Sequence, residues 1–161
     1  MKTLVLGIGN SILGDDGVGI HVVRELAKKI KGRNVDVKDA SVDGLNLLEL
    51  ITGYDKLIVI DAIMTEGGGI GEIYRLKPEN ICDLSSSAIS PHHFNLTATI
   101  EMGKKLFPKE MPEEVTVFAI GAQEVAEVRE RMTRKVKKAI PRVVSLVLED
   151  ISSTSAACTR K

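Results

Sequence analysis

The chain has 161 residues, 43% of them apolar, which fits one domain of ordinary size with a real core. Twenty-two basic residues balance 22 acidic ones, so the formal net charge is zero, which argues against a general nucleic-acid or membrane-surface binder. No apolar run nears the roughly 20 residues that span a bilayer, no signal-like h-region follows Lys2, and Cys82 and Cys158 match no metal or disulfide spacing; the expectation is a cytoplasmic protein without nucleic-acid or membrane partners.

In chain order, Lys2 to Ile8 reads as a buried strand, and Val18 to Ile30 places apolar residues at helical spacing. Val35 to Lys38 is a short strand and Gly44 to Ile51 a short buried helix. KLIVIDA, residues 56 to 62, is apolar on both faces, as a central parallel strand should be. Glu72 to Leu76 reads as a fourth strand, 77 to 91 as mostly loop, Phe94 to Leu106 as helix and Glu114 to Ile120 as a fifth strand. Met132 to Ile151 has the spacing of a long amphipathic helix, with a kink expected at Pro141, and 152–161 reads as a flexible tail after a single domain over 1–151. Strands alternating with helices imply an α/β fold with a mostly parallel sheet covered on both faces.

The first loop, GIGNSILGDDGVG at 7 to 19, holds five glycines and two adjacent aspartates. A dinucleotide fingerprint would need glycine where Ile12 stands, and its pyrophosphate would meet Asp15 and Asp16 at the helix entrance. Asp39 stands where a ribose-binding acid would sit, which keeps that reading open. One aspartate is explained as an N-cap, but two are not, since only one can occupy the cap. In an open parallel sheet ligands bind beyond the carboxyl ends of the strands. Asp61 ends the most buried strand, where an unpaired charge is costly, so it is expected to be paired, hydrogen-bonded or metal-bound. SPHHFN, residues 90 to 95, places His92 and His93 at a helix start, with at most one facing the site; His21, on the first helix, reads as surface or partly buried. Two carboxylates and an imidazole form an O,O,N set suited to a borderline divalent ion with open positions. Neither H-E-x-x-H nor G-x-S-x-G is present.

GIGNSILGDDGVG, DGLNLL at 43 to 48, VIDA at 59 to 62 and SPHH at 90 to 93 come in an order and spacing that resembles the hydrogenase maturation endopeptidases. The resemblance runs from Met1 to about Ile151. It implies a three-layer α/β/α sandwich with a twisted, mostly parallel sheet of about five strands. It implies an endopeptidase that removes the C-terminal extension of a nickel–iron hydrogenase large-subunit precursor after nickel insertion. The precursor would be the partner, and nickel would be supplied by that substrate. Carried over residue by residue, the metal-binding and catalytic positions fall on Asp16, Asp61 and His92. Relatives often carry Glu at the first of these, so Asp16 is a shorter variant, and DASVDG at 39 to 44 departs from the family's Asp-Gly-Gly-Thr. Asp15 would then shape the turn, and the glycines would let the backbone pass close to the nickel centre and C-terminal arm of the substrate. The alternative is a non-enzymatic α/β module that binds a nucleotide or a metal and regulates a partner.

Overall fold

The computed structural model describes residues 1–158 apart from 33, 41–43, 66–68, 78–79, 81–87, 90 and 124–130; the side chains at 44–46, 65, 88–89, 91–95 and 154–158 also lie outside the described residues. Thr3–Ile8 forms β1, buried at every position, and Val18–Lys29 forms α1. Val35–Ala40 is β2, Gly44–Ile51 is α2, and Lys56–Thr65 is β3, three residues longer than KLIVIDA. Ile73–Leu76 is β4, Ala88–Ile89 is β5, Pro91–Leu106 is α3 and Glu114–Gly121 is β6. The last helix, α4, spans Arg134–Cys158. It continues through Pro141 and beyond Ile151, so residues 152–158 are helical where a tail was expected.

The main sheet has the order β2-β1-β3-β6-β4. All pairs in it are parallel except β4 with β6, which places an antiparallel strand at one edge. β5 lies off this path and pairs antiparallel with the end of β3, inside the stretch read from sequence as loop. Two residues of pairing in a polar segment leave no alternation to detect.

Side-chain parity along the central strands divides the core into two layers. Val5, Ile58, Ile60, Phe118 and Ile120 face α1 and α4, where Val22, Leu26, Val143 and Val147 meet them. Leu4, Leu6, Leu57, Val59 and Val117 face α2 and α3, meeting Leu47, Ile51, Leu96 and Ile100. The three-layer sandwich follows, because each helix has an apolar stripe to bury and the sheet has two faces. The chain runs from β1 outward to β2, then crosses back to β3 on the far side of β1. The junction of β1 and β3 is therefore the point where the winding reverses, the place where open α/β sheets bind ligands beyond the carboxyl ends of their strands. Among the described residues no helix is long and apolar enough to cross a membrane.

Candidate functional site

The loop after β1 folds back on the strand that precedes it. Gly9 has φ +137°, and a Cβ there would overlap the Asp16 carbonyl oxygen. Asn10 turns the chain: its Oδ1 accepts from the Ile12 N–H at 3.0 Å, and its carbonyl accepts from the Leu13 N–H at 3.0 Å. Gly14–Gly17 then forms one 3-10 turn that carries both aspartates, and α1 starts at Val18. The helix entrance lies against the strands so closely that a Cβ on Gly19 would overlap the carbonyl oxygen of Ile60 in β3. Gly7, Gly9, Gly17 and Gly19 thus make room for the protein's own backbone.

Neither aspartate is an N-cap; no side chain caps the 3-10 turn or α1. Asp15, 6% exposed, joins the loop to the far side of β6 instead. Its Oδ1 accepts from the Thr133 N–H at 2.7 Å, and its Oδ2 accepts from the Thr133 hydroxyl and the Gln123 N–H, both at 3.1 Å. Asp16, 3% exposed, turns back toward the end of β1, where its Oδ2 accepts from the Asn10 N–H at 2.8 Å.

Asp61 is fully buried in β3, one residue beyond the last pairing of β3 with β1, Gly7 with Ile60. Its Oδ1 accepts from the Ala62 N–H at 2.8 Å. A buried carboxylate held by a backbone amide is fixed in orientation. The turn bearing Asp15 and Asp16 packs against β3, the strand that carries Asp61.

Parity puts Asp61 on the α2/α3 face of the sheet. The antiparallel pairing of Met64 with Ile89 and of Thr65 with Ala88 reverses the chain, and α3 begins two residues after β5. His92 and His93 occupy the first turn of α3, on the Asp61 side; their side chains lie outside the described residues. Among the described residues no three His, Cys, Asp or Glu side chains form a metal-binding group, and a set completed by His92 falls outside that test. His21 is exposed on α1. Asp39 is half-exposed on β2, opposite Gly7 of β1, and pairs with Arg24 at 3.5 Å. The sequence reading missed Gln123 and Thr133 as partners of Asp15; nothing near them in the chain signals a contact with the first loop.

Comparison with known proteins gives a consistent result. The profile of the hydrogenase maturation protease family matches residues 20–150. The hydrogenase 2 maturation protease of Escherichia coli (strain K12) is 31% identical over 121 residues, which are 74% of this chain and 73% of that protein. The coenzyme F420 hydrogenase subunit delta of Methanothermobacter thermautotrophicus is 27% identical, covering 93% of this chain and 94% of its own. Among solved structures, the hydrogenase maturating endopeptidase HybD from E. coli superposes with a TM-score of 0.83 at 28% identity, covering 96% of this chain and 94% of that one.

Proposed function

The chain belongs to the hydrogenase maturation protease family and is an endopeptidase, and from that premise we propose that Asp16, Asp61 and His92 form the site at which it cleaves the C-terminal extension from a nickel–iron hydrogenase large-subunit precursor. The observation that supports the site assignment is the pair of buried carboxylates, Asp16 and Asp61, each held by a backbone amide, one on the turn after β1 and one on β3, the two strands between which the winding of the sheet reverses. His92 supplies the third donor from the start of α3. The family match leaves the non-enzymatic regulatory reading without support.

The nickel belongs to the substrate. Two carboxylates and one imidazole offer hard and borderline donors and no thiolate, a set that suits a divalent ion sharing its remaining positions with other ligands. Binding would then require a precursor already loaded with metal, which makes loading a condition for cleavage. Amide hydrolysis needs a water oxygen delivered to the scissile carbonyl carbon, a base to take the water proton, and a proton for the departing amine. A carboxylate next to the substrate's metal would take that proton and return it to the nitrogen, and Asp16 is assigned that part. Burial makes the charge of both aspartates count for more than it would in water.

The test is cleavage of nickel-loaded precursor by single variants. Asp16→Asn, Asp61→Asn and His92→Ala should each keep the wild-type circular dichroism and lose at least about a hundredfold in rate, the lower range for removing an acid–base group. His93→Ala should stay within a fewfold of wild type. Equal damage from the two histidine variants would remove His92 from its assigned role.

A further inference from the structure

Away from the proposed site, a groove of about 530 Å³ runs between the edge strand β4 with its preceding turn and one face of α4. Ile73 and Ala139 form its apolar floor, and Lys135, Lys138 and Arg142 line the helix wall at positions i, i+3 and i+7. All three cations are exposed, and none takes part in a salt bridge among the described residues, whereas Lys2, Arg24 and Lys28 each have a carboxylate partner. Among the described residues that line the groove the one carboxylate is Glu72, which is turned into its own loop: Oε2 accepts from the Tyr74 hydroxyl at 2.6 Å and from the Gly69 N–H at 3.2 Å, bonds that hold its carboxyl below its ordinary value.

The walls are fixed. Gly71, at φ +82°, lies so close to α4 that a Cβ would come within 2.7 Å of the Lys135 carbonyl oxygen, and its N–H donates to Gly121 O at 2.7 Å. β4 pairs with β6 on one side and with no described strand on the other. An open strand edge facing a helix is the geometry in which an extended peptide adds to a sheet, the main chain giving affinity and the facing side chains giving selectivity.

The groove and the proposed site lie on opposite faces of the sheet: Ile73 and Ala139 belong to the layer that faces α4, and Asp61 shares the parity of Leu57 and Val59 on the α2/α3 face. Tyr74 pairs with Ala119, and Ala119 pairs with Asp61, so the three share one row. Two interstrand spacings put β4 about 10 Å from the Asp61 backbone, so a segment that reaches both the groove and Asp61 passes around the open β4 edge.

We propose that this groove seats an extended, acidic segment of the hydrogenase precursor, laid along β4 with its carboxylates on Lys135, Lys138 and Arg142. The inference rests on the protease reading above and adds where the substrate is held outside the bond that is cut. Pairing exposed charges steers and docks a partner without entering the chemical step, so the groove should govern KM and leave kcat alone.

The experiment compares steady-state cleavage of nickel-loaded precursor by three enzymes: wild type, Lys135→Glu/Lys138→Glu/Arg142→Glu, and a control with the same charge change elsewhere, Lys31→Glu/Lys104→Glu/Lys109→Glu. The groove variant should raise KM at least tenfold with kcat within twofold, and the control should leave both within twofold. Raising salt from about 0.05 to 0.5 M should raise the wild-type KM and leave the groove variant's nearly flat, because salt screens exposed charge pairs. A wild type that cleaves while the groove variant keeps its KM, or while the control loses as much, overturns the groove alone. A wild type that leaves the loaded precursor intact overturns the protease reading and the groove's occupant together.

Discussion

Asp15 and Asp16 are adjacent and chemically identical, and the fold gives them different partners. Asp15 accepts three hydrogen bonds from Gln123 and Thr133. Removing its carboxylate strands three donors in a buried place, and an unsatisfied buried donor costs more than a made bond contributes. Asp15→Ala should therefore lower stability by about 3 kcal/mol, against about 1 kcal/mol for Thr133→Val, which deletes one donor together with its need for a partner. Urea unfolding of the two variants measures the difference, and equal losses would mean that the hydroxyl alone carries the contact. The sequence showed that the two aspartates could not both be caps, because a helix start has one cap position. It could not show that neither is, since the partners of Asp15 lie 108 and 118 residues further on.

At the level of elements, legibility followed burial. β1, β3 and α1 were readable from their apolar runs and helical spacing; the observed bounds of β1 and α1 agree to within a residue, and β3 runs three residues further than read. β5 was hidden because its pairing belongs to β3 more than to its own residues. The glycines were visible, but their purpose was not. A gap that admits a ligand and a gap that admits another strand look the same in one dimension. The contact of α1 with the β1/β3 junction turns that distinction into a measurement. A Cβ on Gly19 meets backbone carbonyls of Ile60 and Ile8, which have no rotamer to yield, whereas one on Gly32 meets nothing within 4 Å. Gly19→Ala should cost about 3 kcal/mol or more, in the range of severe overpacking. Gly32→Ala should change stability by no more than about 0.5 kcal/mol, as surface changes do. Thermal melts of both variants decide it; similar midpoints would show that α1 can move off the sheet freely.

Across the whole molecule, charge is concentrated at both ends of the sheet, for different reasons. At the amino ends, Lys56 is 1% exposed and its Nζ lies 2.8 Å from both Glu114 and Asp150, while Arg75 bonds the other oxygen of Asp150. This joins the starts of β3 and β6 to the edge strand and to α4. Burial alone would raise the Asp150 pKa, but the bonds from Lys56 and Arg75 outweigh it and hold the carboxyl below its ordinary value. A carboxyl with a depressed folded pKa contributes stability that is complete above its unfolded value, about 3.9, and is lost as pH falls through the folded one. The wild type should therefore weaken steeply below about pH 4. Asp150→Asn should lose about 3 kcal/mol at neutral pH, the cost of breaking a buried pair, and show a shallower acid limb. An unchanged acid limb in that variant would place the acid sensitivity elsewhere. At the carboxyl ends, the bonds from Asp15 to Gln123 and Thr133 have a consequence for synthesis. A chain emerging from the ribosome presents both aspartates early and their anchors more than a hundred residues later. Until Thr133 has emerged, the first loop lacks the bonds that Asp15 accepts from it, so that loop reaches its final form only after translation has passed the start of the last helix.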